Sequence, residues 1–139
     1  MHSPLLAPVM ALVLWSLVMW VWLYATRIPA TIRGKVSLSR HQTKQEFDAQ
    51  LPTHVRWKAD NYNHLMEQPT IFYATALTLA LLGSTSMLDV TLAWLYVGVR
   101  VIHSLVQATV NIVLWRFTIF TIASIVLAVL AIRAALLVF

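Results

Sequence analysis

The 139-residue chain contains no cysteine, three glycines and only five acidic residues. The missing cysteine excludes disulfides, a protein thiol nucleophile and cysteine-ligated metal or iron–sulfur centres. Any thiol chemistry would need its sulfur brought in by a ligand. Charge is scarce too: 11% of residues are Asp, Glu, Lys or Arg, less than half the ~25% of a soluble domain, and 60% are hydrophobic. A water-soluble domain of this length would leave much of its side-chain surface wet. Ten basic and five acidic residues are too few to cover it, which excludes a water-soluble enzyme or transcription factor.

What charge there is has one prevailing sign, for a formal net of +5. Residues 1–26 carry no Lys, Arg, Asp or Glu, whereas 27–60 hold Arg27, Arg33, Lys35, Arg40, Lys44, Arg56 and Lys58 against Glu46, Asp48 and Asp60. Nucleic-acid binding would need basic residues gathered on a structured face with aromatic or polar readers. A positively charged loop between membrane spans explains the same residues without a nucleic-acid partner.

Leu5 to Tyr24 is an apolar run interrupted only by Pro8 and Ser16, long enough as a helix to cross a hydrocarbon core of ~30 Å. A cleavable signal peptide is the competing reading, but the run lacks an N-terminal cation and a clear small-residue cleavage site. Four spans are expected, at roughly 5–26, 57–82, 88–110 and 114–138. A polar loop at 27–55 contains Pro29, Gly34 and Pro52, and a turn sequence runs Gly83-Ser84-Thr85-Ser86. Short connections make consecutive spans antiparallel, so the expected fold is an all-α membrane protein, an up-down four-helix bundle. The positive loop is placed on the cytoplasmic side and both termini on the non-cytoplasmic side. Arg133 weakly opposes this orientation, on the reading that it snorkels to the interface.

The most informative pattern is a stripe on the third span: Tyr96, Arg100, His103, Gln107 and Asn111 fall within an arc of roughly 80° at ~100° per residue. A charged side chain near the bilayer centre costs at least ~2.5 kcal/mol, so Arg100 must face protein, water or a counter-ion. Glu67 lies at a matching depth on span two, which predicts a Glu67–Arg100 ion pair; the alternative is that such a pair only fixes helix register. Asn61, His64 and Gln68 form a second polar face on span two, and two facing stripes suggest a cavity open toward the cytoplasmic side. Taken singly, His103 reads first as a hydrogen-bonded interior histidine. No metal site is expected, because His64 and Glu67 lack the second such element of a dimetal bundle. Pro69 should kink span two and free carbonyls for bonds inside the bundle. The tryptophans, among them Trp15, Trp20, Trp22 and Trp94, read as interfacial or lipid-facing.

The segments Asn61-Tyr62-Asn63-His64-Leu65-Met66-Glu67-Gln68-Pro69, Ile71-Phe72-Tyr73, Tyr96-Val97-Gly98-Val99-Arg100-Val101-Ile102-His103-Ser104 and Asn111 through Arg116-Phe117 resemble the membrane-associated proteins in eicosanoid and glutathione metabolism, the MAPEG family, in a bacterial-type member. Size and layout extend the resemblance to the whole chain, read as a single MAPEG-like transmembrane domain over 1–139. The resemblance implies a homotrimer with glutathione between neighbouring subunits on the cytoplasmic side, its thiolate attacking or reducing a lipophilic electrophile. It also implies Arg116 as the catalytic residue that stabilises the thiolate, Glu67 as the partner of the ligand's amine and Arg100 as a brace for Glu67. His103, Gln107, Asn61 and His64 complete the implied binding set. The chain departs from the family pattern at Gln107, where the best-known members have tyrosine, at Phe117, where some have serine, and upstream of Glu67. There Asp60, Asn63 and His64 stand in place of arginines and an asparagine.

Two functions remain in competition. One is a membrane-bound transferase or peroxidase using glutathione or a related thiol on hydrophobic small molecules, set in the lipid bilayer of the bacterial inner membrane. The other is a non-catalytic trimeric membrane protein that binds a lipid or small amphiphile or accompanies a larger complex. A transporter or channel has less support, since the sequence lacks clear paired discontinuous helices.

Overall fold

A computed structural model describes residues 3–39 and 42–139; Arg40, counted above in the basic loop, lies outside the described residues. The regular elements are helices α1 (Leu6–Arg33), α2 (Lys44–Ala49), α3 (Thr53–Leu65), α4 (Pro69–Leu81), α5 (Met87–Thr109) and α6 (Val113–Val138). Among the described residues α1, α5 and α6 are long and apolar enough to cross a membrane. The expected second span differs. It is two helices of 13 residues each, separated at Met66–Gln68, and neither alone reaches the ~20 residues a span requires.

The expected loop at 27–55 also proves partly helical. Helix α1 continues through Pro29 to Arg33, and its 28 residues extend about 42 Å at 1.5 Å per residue, some 10 Å beyond a hydrocarbon core. The excess carries Arg27 and Arg33 past the apolar layer. Helix α2 starts at a capping box: Thr43 N–H donates to Glu46 Oε2 (2.7 Å) and Glu46 N–H donates to Thr43 Oγ1 (3.2 Å). These bonds to Thr43 favour the charged carboxylate and hold its pKa below the ordinary value. Arg27 then donates to Asp48 Oδ1 at 2.5 Å. Val36, Leu51 and Val55 form a small apolar cluster with Ala30 and Phe47. The polar connection is therefore a folded cap tied to the end of α1.

The main core lies between α1, α4, α5 and α6, where Leu5, Leu12, Phe72, Ala76, Leu79, Ala93, Tyr96, Ala123 and Leu130 are buried. Alanines at three of these positions allow close helix approach, as packing inside a bilayer favours. Large apolar side chains outside this core stay exposed, among them Leu95, Ile102, Leu114, Trp115 and Ile125, as expected of a surface that faces lipid or another membrane helix. Gly83, with φ of 70°, ends α4: its N–H reaches Ala80 O (3.1 Å) and Ser84 N–H reaches Leu79 O (3.0 Å), the paired bonds of a Schellman turn.

Arg133 corrects the snorkelling expectation. It donates through Nε to Asp89 Oδ1 and through Nη2 to Ser86 Oγ, while Ser84 Oγ donates to Asp89 Oδ2. Asp89 is fully buried. The α4–α5 turn is thus tied to α6 by a neutralised pair, and Arg133 is not a lone cation seeking water.

Candidate functional site

The site begins at the α3–α4 break. Pro69 has no N–H to donate to Leu65, so α3 stops and short-range bonds take over, Met66 N to Asn63 O (2.9 Å) and Thr70 N to Glu67 O (3.2 Å). Pro69 then occupies the first turn of α4, where its fixed φ suits a helix start. At the interruption the His64 carbonyl accepts twice, from Glu67 N–H at 3.4 Å within the turn and from Arg100 Nη2 at 3.1 Å. The turn before Pro69 thus offers a carbonyl to a buried guanidinium inside the bundle.

On α5 the polar stripe is buried as one face: Tyr96, Arg100, His103 and Gln107 are at most 2% exposed. Asn111 is not part of the helix. It follows the end of α5 with φ of 54°, a left-handed conformation that asparagine tolerates, and its Oδ1 accepts from Arg116 Nη1 at 2.8 Å. The stripes on α3 and α5 close against each other instead of lining an open space. Asn61 Nδ2 donates to Ser104 Oγ (2.7 Å), Tyr96 Oη to Gln68 Oε1 (3.3 Å) and Gln68 Nε2 to Ser124 Oγ (2.7 Å).

This interior holds more polar capacity than the protomer uses. Among the described residues, Arg100 Nε and Nη1, Asn61 Oδ1, Gln107 Oε1 and Arg116 Nε are buried without a hydrogen-bond partner. Each such group costs about 1–3 kcal/mol when left unmet, so this cluster carries hydrogen-bonding capacity that the protomer does not use.

The expected Glu67–Arg100 ion pair does not form. The Glu67 side chain is 66% exposed and its Oε2 accepts from His64 Nδ1 at 2.9 Å, whereas Arg100 is 0% exposed and bonds a carbonyl. The depths were matched, but the break takes Glu67 off the helix and the turn sets its direction.

Beside the closed stripes a cavity of about 250 Å³ opens, lined by His64, His103, Val113, Arg116, Phe117 and Phe120. Three of the expected site residues, Arg116, His64 and His103, thus share one cavity, while Glu67 bonds one of its walls. Arg100, Asn61 and Gln107 are buried and do not line it. Phe120, which the sequence reading missed, organises the wall: its ring lies 5.1 Å from His64, 6.0 Å from His103 and 5.8 Å from the Arg100 guanidinium carbon. Its position four residues after Arg116, one helical turn on, was the available signal. Among the described residues no group of three or more His, Asp or Glu side chains is placed to hold a metal.

Helices fit to cross a bilayer and a cationic, imidazole-lined cavity at a helix break define an α-helical integral membrane protein with a polar site. The chain belongs to the MAPEG family, whose model matches residues 5–136. No curated protein and no solved structure matches it.

Proposed function

We propose that this protein is a bacterial-type, four-span MAPEG enzyme that uses glutathione or a related thiol as cosubstrate against lipophilic electrophiles. The observation that carries the reading is the cavity itself, where Arg116 stands with two imidazoles against the apolar wall of Val113, Phe117 and Phe120. Arg100 and Arg116 are two guanidiniums set against one nearby carboxylate, Glu67. That balance favours an anionic ligand and a thiolate over a thiol, because a nearby cation stabilises the charged form.

In this reading Arg116 stabilises the thiolate. Glu67 keeps its second oxygen for the ligand's amine, and Arg100 braces the break next to it. Asn61 and Gln107 present acceptors behind the cavity. The donor and acceptor types suit a tripeptide carrying two carboxylates, an amine and a thiol. At about 250 Å³ the protomer's cavity falls just below the ~300–1,000 Å³ of ligand pockets, which supports a site completed by a neighbouring subunit of a homotrimer. The α3–α4 pair serves as the second span, the positive loop faces the cytoplasm of a bacterial inner membrane, and both termini lie on the other side.

The test is thermal unfolding in detergent with and without millimolar glutathione, since a ligand bound only by the folded state raises the melting temperature. A shift is expected, and Arg116→Ala should reduce it and impair turnover of a chromogenic electrophile. Unchanged turnover would remove Arg116 from the mechanism. No shift with any low-molecular-weight thiol would return the protein to the non-catalytic reading.

A further inference from the structure

We propose that His64 is the general base that takes the proton from the bound thiol, held in the required orientation by Glu67. This rests on the thiol-dependent reading above and deepens it by assigning the proton.

The chain places these two groups through its own break. His64 lies in the last turn of α3 and Glu67 in the turn that precedes Pro69, so Glu67 folds back and its Oε2 accepts from His64 Nδ1 at 2.9 Å. A carboxylate that holds the proton on Nδ1 leaves the Nε2 lone pair free. Among the described residues nothing bonds Nε2. The imidazole packs at a tilt against the rings of His103 (5.2 Å) and Phe120 (5.1 Å), which lie 6.0 Å from each other, so the three rings form a triangle that restrains it. With its side chain 24% exposed, His64 can be reached from the cavity it lines with Arg116. His103 lines the same cavity but is almost fully buried and has no carboxylate on its ring. Of the two imidazoles, only His64 is oriented for proton transfer.

The charged and titratable groups around His64 are Glu67 in the turn after α3, Arg100 and His103 on α5, and Arg116 on α6. The two guanidiniums favour the thiolate that forms when the proton moves to His64.

The step is closed for addition to an α,β-unsaturated carbonyl. The S–H proton moves to His64 Nε2, and the sulfur pair forms the C–S bond at the β-carbon. The C=C pair shifts to an enolate, and the imidazolium returns the proton to the α-carbon. Nothing leaves, and no oxidant or reductant is needed. His64 touches the reacting thiol and is a catalytic residue beside Arg116; Glu67 acts on the proton through His64 and is a positioning residue for that step.

The test uses the full chain in detergent, with glutathione and an enone whose absorbance is lost on thiol addition. His64→Asn should keep the thermal shift with millimolar glutathione but lose about 100-fold in turnover near pH 7, in the range of general-base contributions. The deficit should shrink as pH rises toward the ~8.5 of a free thiol. Glu67→Gln should show a smaller loss in kcat, and Glu67→Asp should recover part of it. His64→Asn with unchanged rate and pH profile, while still shifted by glutathione, overturns the assignment. Loss of both shift and turnover makes His64 a binding residue and also overturns it. If the variant does not fold, the unmodified protein decides: the rate should persist at pH values below those at which the free thiol ionises, and a rate that tracks only ionisation of the free thiol overturns the proposal. Absence of a glutathione shift in the unmodified protein removes the thiol reading itself, a separate outcome.

Discussion

At the scale of single residues the most exacting contacts are charged groups removed from water. Asp89 and Arg133 are unequal partners: the carboxylate side chain is 0% exposed, the guanidinium side chain 32%. Removing Arg133 strands a buried anion, and Arg133→Met should cost about 3–5 kcal/mol. Removing Asp89 leaves a cation that is already one-third exposed and keeps Ser86 as a partner, so Asp89→Asn should cost about 1–3 kcal/mol. The melting temperature should therefore fall further for Arg133→Met than for Asp89→Asn, and the double variant should recover part of the larger loss. Equal effects would mean that the pair is wetter than its burial indicates. Residue types and helical spacing made the Arg100 stripe legible in the sequence, because an unbroken helix converts spacing directly into direction. The partner of Arg100 was not legible by that route. Pairing it with Glu67 required span two to be a regular helix through residue 67, and the chain leaves the helix at Met66.

That departure belongs to the scale of elements. Six helix ends were readable to within a residue: the start of α1, the end of α4 and both ends of α5 and α6. Helix α5 starts where the turn sequence ends, and α6 runs from Val113 to Val138 against an expected 114–138. At the other two places a local feature prevailed over composition. The polar residues after Arg27 read as loop, yet α1 continues to Arg33 and the remainder folds onto it through Phe47, Leu51 and Val55. Pro69 read as a kink within one span, yet it separates two helices. The missing N–H is one cause of that break; the bonds from Arg100 to His64 O and from Gln68 to Ser124 are a second, tertiary one. Pro69→Ala separates them. If proline is the main cause, residue 69 gains an N–H for Leu65 O, and amide exchange across 67–70 should slow by about tenfold or more, equivalent to ~1.4 kcal/mol of added protection. Unchanged exchange would assign the break to the tertiary bonds.

At the scale of the whole molecule, the break decides how the chain crosses the membrane. Only α1, α5 and α6 among the described residues have the length and apolarity of independent spans, and with three crossings the folded cap and the α4–α5 turn could share a side. If α3 and α4 cross together, those two connections lie on opposite sides. The second arrangement fits the packing: α3 lies against α1 and α5, while α4 lies against α1 and α6. Lys58, midway along α3, is held 5.2 Å over the Trp22 ring of α1. The charge pattern agrees, since the cap carries the basic excess and the turn has its single acid neutralised by Arg133. The absence of native cysteine makes the test direct. Ser37→Cys in the cap and Thr85→Cys in the turn place one thiol each on an exposed polar position. In sealed inverted inner-membrane vesicles, an impermeant maleimide should label Cys at 37 without detergent and Cys at 85 only after detergent. Labelling of both in intact vesicles would leave α3 and α4 dipping into the bilayer and returning, and would overturn the four-crossing arrangement.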